Sequence, residues 1–147
     1  MRLDRDFSEF IGFLSAHEVR FLVVGGYAVA AHGHPRYTGD LDVWVLVHPH
    51  NAERLLRALD DFGFGAVGLT AADFLQPHRV IQLGYPPLRI DLLTSVDGVA
   101  FDDCYANRVE VQLDEVVVPF IGLDDLRRNK TASGRPQDLA DLDALDG

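Results

Sequence analysis

Leu3, Phe7, Phe10, Ile11 and Leu14 recur every three or four residues among polar neighbours, a spacing that predicts an amphipathic helix over residues 4–17. The pattern then changes period. Residues 21–24 are all apolar and read as a short buried strand, closed by a turn at Gly25-Gly26. Good helix formers follow over 27–32, and Gly33 is a natural stop. Residues 41–47 form a second strand, ended by Pro49. Asn51 is placed to cap a helix running to Asp61, with Leu55, Leu56 and Leu59 on its inner face. The glycine-rich stretch DFGFGAVGLT predicts turns.

Two further strands are predicted over 79–83 and 88–93, joined by a hairpin turn at the GYPP stretch. Residues 108–113 and 116–121 make another strand pair. The chain closes with helices over 123–132 and 136–146, interrupted by Ser133-Gly134-Arg135-Pro136. There is no internal repeat, low-complexity tract or linker. Helices mixed with hairpins predict one domain over residues 1–147, an α/β (α+β) fold with a mixed sheet flanked by helices.

Composition narrows the function. Apolar residues are 48% and charged residues 24% of the chain, the usage of a folded globular domain rather than a disordered segment. No apolar run is long enough for a membrane span, and the acidic start is unlike a signal peptide, so a cytoplasmic protein without membrane partners is expected. A single cysteine, Cys104, excludes an internal disulfide and a cysteine zinc cluster. The net charge of −10 argues against extended nucleic-acid binding by this chain alone, since such surfaces are basic. A small substrate, a nucleotide carried with its metal, or one RNA end stays open.

The chemistry gathers on two strands. Residues two apart on a strand share a face, so Asp40, Asp42 and Trp44 point one way and Leu41, Val43, Val45 and Val47 point into the core. LRIDLL repeats the arrangement: Arg89 and Asp91 on one face, Leu88, Ile90 and Leu92 on the other. If the strands are neighbours, three carboxylates meet on one face. Their repulsion is relieved by an oxygen-seeking divalent cation such as Mg²⁺ or Mn²⁺, the arrangement of phosphoryl-transfer sites. Upstream, a tight Gly25-Gly26 turn into a helix admits a phosphate close to backbone N–H groups. The Gly25-Gly26 turn is not a G-x-G-x-x-G fingerprint, and no G-x-x-x-x-G-K-[ST] loop occurs, which weighs against dinucleotide binding there and against P-loop hydrolysis.

Gly25-Gly26, a helix, Asp40-Leu41-Asp42 on one strand and Asp91 on a later one together resemble the polymerase-β-like nucleotidyltransferase superfamily. The string GGYAVAAHGHPRYTGDLDVWV is more specifically similar to the small bacterial branch of abortive-infection-type toxin nucleotidyltransferases. Arg36, Thr38, Asp40 and Asp42 match its R-x-T-x-D-h-D block, and Lys130, Gly134, Arg135 and Asp138 match its closing lysine and GR-x-x-D. The resemblance implies metal-dependent transfer of a nucleoside monophosphate from a nucleoside triphosphate such as ATP. It implies Asp40, Asp42 and Asp91 as metal ligands, with Asp91 also the general base for the acceptor hydroxyl. Gly25 and Gly26 would hold the triphosphate, helped by Arg36, Thr38 and Lys130. Many relatives carry an extra helical domain for the acceptor, so here the acceptor surface is expected from a second copy in a homodimer, from a partner protein, as in a toxin–antitoxin pair, or from the short C-terminal helices.

Other residues weigh less. Two His-x-His pairs, at 32/34 and 48/50, lack the cysteines or H-E-x-x-H of a zinc site, although His32 or His34 is placed to line a nucleotide pocket. Trp44 stands either against a base or packed beneath a helix. Arg135 is expected to pair with Asp138, and the tail 138–146 to be a solvated acidic face. Two functions remain open: a nucleotidyltransferase acting on a tRNA end, a protein or a small molecule, and a non-catalytic nucleotide-binding module within a two-protein complex.

Overall fold

The computed structural model describes residues 3–36, 38–64, 68–85 and 88–146. The first helix, α1 (Arg5–Ala16), is capped by Asp4, whose carboxylate accepts from the backbone N–H of Asp6. Its apolar stripe is the predicted one, and Phe7, Phe10, Ile11 and Leu14 are buried. Strand β1 (Phe21–Val24) is fully buried and runs straight into α2 (Gly25–Ala31). The glycine pair is therefore the first turn of a helix, not a turn before one.

Strand β2 (Asp40–Val45) starts one residue earlier than predicted and stops before Val47, which is 38% exposed rather than in the core. Helix α3 (Pro49–Phe62) opens on a proline and takes His48, not Asn51, as its N-cap. Asn51 is drawn away because its side chain bridges loops: it accepts from Arg20 N–H at 2.7 Å and donates to the carbonyls of Leu46 and Arg20. A short 3-10 turn (Ala71–Phe74) comes just after the predicted turn region, of which residues 65–67 lie outside the described residues. Strands β3 (Val80–Tyr85) and β4 (Leu88–Leu93) pair antiparallel as expected, while Pro86 and Pro87 of their connection lie outside the described residues. Helix α4 (Phe101–Ala106) was not predicted, because FDDCYA is too short and acidic to show a helical period. Strands β5 (Val109–Leu113) and β6 (Val116–Phe120) precede α5 (Leu123–Ser133) and α6 (Pro136–Asp146).

The six strands form one mixed sheet in the order β3-β4-β2-β1-β6-β5. Strand β2 pairs antiparallel with β1 and parallel with β4; β1 pairs parallel with β6. Leu41, Val43 and Val45 on one face of β2 are all buried. The other face is covered past its acids, where Trp44 packs edge-on against Phe101 of α4 at 5.1 Å between ring centroids. That settles Trp44 as a packed aromatic. Among the described residues no helix is long and apolar enough to cross a membrane.

Candidate functional site

The central β2–β4 pairing decides where the carboxylates meet. In the parallel register Asp40 lies opposite Arg89, and Asp42 lies opposite Asp91. The two Asp-bearing segments, more than 40 residues apart in sequence, thus share the centre of the sheet. They stand in a cleft of about 490 Å³ lined also by Val24, Gly25, Asn129, Lys130 and Arg135, a volume suited to a small ligand. A larger depression of about 920 Å³ lies elsewhere, between α1 and the β5–β6 turn. Its lining, including Asp4, Arg5, Glu9, Asp114 and Glu115, is mostly unconverged surface acid, so the smaller cleft is the functional candidate.

Within the cleft Asp91 is 7% exposed and accepts from Arg89 Nη2 at 2.9 Å, while its Oδ1 is buried with no hydrogen-bond partner. The same Arg89 nitrogen is 3.2 Å from Asp40 Oδ2. Asp42 is pushed up to about 6, first by burial and then by the charges of Asp91 and Asp40, with Lys130 and Arg89 opposing. The site holds more negative charge than its own cations neutralise.

That imbalance tests the fit of a divalent ion. The donors are hard carboxylate oxygens, and a buried unpartnered Oδ1 beside a carboxyl raised by burial and then by like charge is the environment a cation relieves. Among the described residues, however, no three such side chains already stand together as ligands, and Arg89 bridges Asp40 and Asp91. Asp40, Asp42 and Asp91 fit the ion in kind, with rearrangement still required.

Gly25 and Gly26 have a reason closer than phosphate. Gly25 adopts φ +70°, and a Cβ there would run into the Asp42 carboxylate. A Cβ on Gly26 would stand 2.7 Å from Thr38 Oγ1 and 3.2 Å from an Arg36 guanidinium nitrogen. The pair lets β1–α2 close against the acidic strand. Gly25→Ala is therefore expected to combine left-handed strain, about 1–2 kcal/mol, with displacement of Asp42, lowering the melting temperature and weakening metal–nucleotide binding together. Gly33→Ala is the control, at φ +95° with nothing within 4 Å of an added Cβ, and should show the backbone cost alone. Equal nucleotide binding by the two variants would refute the steric coupling of Gly25 to Asp42.

The remaining predicted residues divide. Arg36 donates from Nε and Nη2 to the two oxygens of Asp141 at 2.9 and 3.1 Å, tying the loop before β2 to α6. Thr38 sits beneath Gly26, its hydroxyl donating to the Asp40 carbonyl at 3.3 Å. Neither is among the residues that line the cleft. Lys130 does line it, from α5, buried between Asp138 at 3.3 Å and Asp141 at 2.9 Å. Arg135 pairs with Asp138, as anticipated. The tail is a solvated acidic face only in part: Asp143 and Asp146 are exposed, but Asp138 and Asp141 are 1% and 2% exposed. Burial alone would raise both carboxyls, but hydrogen bonds from Arg135 and Lys130 to Asp138, and from Lys130, Arg36 and Gln137 to Asp141, hold them below the usual range.

His32 bonds the Ile121 carbonyl at 2.8 Å through Nε2, and neither it nor His34 lines the cleft. Burial and then the Asp125 charge push the Cys104 thiol up to about 12, which keeps it in the protonated, poorly nucleophilic form. Asn129, which the sequence did not single out, lines the cleft while its amide donates to the Asp97 carbonyl at 2.9 Å. An isolated Asn in a helix carries no signal that would have found it.

No family model and no curated protein matches the sequence. Solved structures do match the fold. A candidate nucleotidyltransferase from Thermotoga maritima aligns with a TM-score of 0.64 at 13% identity, over 96% of this chain and 93% of its own. An antigenic nucleotidyltransferase-like protein from Paracoccidioides brasiliensis gives 0.60 at 17% identity, over 95% and 74%. A lincosamide antibiotic adenylyltransferase in its lincomycin-bound form gives 0.58 at 10% identity, over 99% and 98%. The fold is that of the nucleotidyltransferases.

Proposed function

We propose that this chain is a divalent-metal-dependent nucleotidyltransferase, moving a nucleoside monophosphate from a nucleoside triphosphate to a hydroxyl acceptor. The observation that carries the reading is the in-register pairing of Asp42 with Asp91 at the floor of a cleft that also receives Lys130. Asp40, Asp42 and Asp91 would hold Mg²⁺ or Mn²⁺, which when bound would neutralise charge on the triphosphate and on the acceptor oxygen. The unpartnered Oδ1 of Asp91 is the base that takes the acceptor proton. The acceptor oxygen then bonds the α-phosphorus as its bond to the bridging oxygen breaks, and pyrophosphate leaves. Lys130 offers the leaving phosphates a cation from the α5 side.

The acceptor is best sought first among small hydroxyl compounds. The lincosamide adenylyltransferase aligns over nearly all of both chains, so a fold of this extent accommodates such an acceptor without a further domain. The toxin-branch resemblance, with the toxin–antitoxin role it carries, keeps a tRNA end and a protein hydroxyl in the screen. The acidic net charge favours a basic partner in either of those cases.

The test is calorimetric titration of each of the four ribonucleoside triphosphates with and without Mg²⁺, followed by transfer assays from an α-labelled donor to small molecules, tRNA and protein extract. Mg²⁺-dependent binding of one triphosphate and label on one acceptor class are expected. Triphosphate binding indifferent to Mg²⁺, with no transfer anywhere, would replace the enzyme by the nucleotide-binding module.

A further inference from the structure

Arg89 sits among the three carboxylates and pairs with two of them in an unusual way. One nitrogen, Nη2, serves both Asp91 Oδ2 at 2.9 Å and Asp40 Oδ2 at 3.2 Å. Its Nε is buried without a hydrogen-bond partner, and so is Asp91 Oδ1 beside it. A guanidinium holding a carboxylate for structure frequently makes two parallel bonds to both oxygens, as Arg36 does to Asp141. Here that match is forgone, and Arg89 acts as a point charge shared by two acids. Its side chain is 32% exposed, as is 42% of Asp40's, so it has open space to move into. Lys130 and Arg135, which also line the cleft, are already engaged, Lys130 by Asp138 and Asp141 and Arg135 by Asp138.

We propose that Arg89 is an internal counter-cation: it balances the acidic face before metal arrives and releases Asp40 and Asp91 as a divalent cation binds. Metal affinity in this chain is then set by competition with its own guanidinium. The inference rests on the metal-dependent reading above and adds to it a residue that tunes loading. It explains why the acids do not stand together as a ready ligand cluster among the described residues. The strand register makes the arrangement obligatory, because Arg89 lies directly opposite Asp40 and two residues before Asp91.

Mn²⁺ alone is the probe, followed by calorimetry and by the paramagnetic signal of the free ion, in wild type, Arg89→Gln, Arg89→Lys and Asp42→Asn, without nucleotide. Removing the competing charge is expected to tighten Mn²⁺ binding about tenfold in Arg89→Gln, equivalent to about 1.4 kcal/mol. Arg89→Lys should tighten it less, since an ammonium keeps the charge but reaches two carboxylates poorly. Asp42→Asn should weaken it. Circular dichroism in chelator reports folding, and if Arg89→Gln is unfolded, Arg89→Lys carries the test with the same sign expected. Mn²⁺ binding that is unchanged or weaker in the Arg89 variants, with wild type binding normally, overturns the competition and makes Arg89 a positioning residue. Failure of wild type and every variant to bind Mn²⁺ overturns the metal-site reading itself, and the counter-cation role with it.

Discussion

Asp42→Asn is expected to abolish nucleotidyl transfer while making the protein more stable at pH 8. Transfer should fall at least about 10³-fold, since a ligand to the ion and part of its charge are removed at constant shape. The stability gain follows from the same environment. Burial and the charges of Asp91 and Asp40 raise Asp42 to about 6, from 3.8 in the unfolded chain. Between those values the folded state holds a proton that the unfolded state has lost. Wild-type stability therefore falls as pH rises from about 4 to about 6 and stays low above it. The full difference is up to about 3 kcal/mol, which Asn, being neutral, does not incur. Thermal melts of both proteins from pH 4 to 8 should start close together and separate by several degrees, with the variant higher.

Saturating Mg²⁺ and nucleotide should reverse that order. Ligand at about 1,000 times its dissociation constant adds about 4.1 kcal/mol to a protein that binds it and nothing to one that does not, which exceeds the advantage of the variant. A variant of full activity would remove Asp42 from the metal site. A variant less stable than wild type at pH 8 would remove the electrostatic account of its carboxyl. Either result is read without knowing the acceptor.

The acidic face was legible because strand geometry is local. Alternation in DLDVWV and LRIDLL fixes which side each Asp takes, and the registers of β2 with β1 and β4 then follow from apolar faces that must be buried. The glycine pair was legible as a conformational requirement, though the steric partner of Gly25, Asp42, is supplied only by the β1–β2 pairing. What the sequence hid are contacts made by helix docking. Arg36 finds Asp141 from 105 residues away, and the motif that suggests a nucleotide contact gives no hint of that ion pair. Asp138 and Asp141 read as a solvated face because α6 has almost no apolar stripe to announce burial. Its inner face is ionic, and an ionic inner face looks like a surface until its counter-charges are located. Asn51 shows the same effect on a smaller scale: a good capping residue was claimed by loop backbone, and a histidine took the cap.

That hidden ionic layer carries the second large expected effect. Lys130→Met keeps the side-chain stem and deletes the charge between Asp138 and Asp141, all three being 4% exposed or less. Leaving buried carboxylates short of a partner typically costs about 3–5 kcal/mol. The lower end is expected here, because Asp138 keeps Arg135 and Asp141 keeps Arg36. For a chain of this size that is a loss of about 10 °C in melting temperature at pH 7. The sign of its pH dependence is fixed. Both carboxyls are held below their ordinary values, so their pairing stabilises the fold above the unfolded carboxylate range and is lost as pH falls through the depressed values. Wild type and Lys130→Met should accordingly converge in acid. Asp141→Asn separates the strut from the cleft: it removes one carboxylate from the layer but leaves the lysine charge near Asp42. If Lys130 serves the triphosphate as well as the fold, Lys130→Met loses far more nucleotide affinity than Asp141→Asn at matched stability. If both lose it in proportion to their melting temperatures, Lys130 is a structural ion alone, and the cation that meets the triphosphate must come from Arg89 or Arg135 across the cleft.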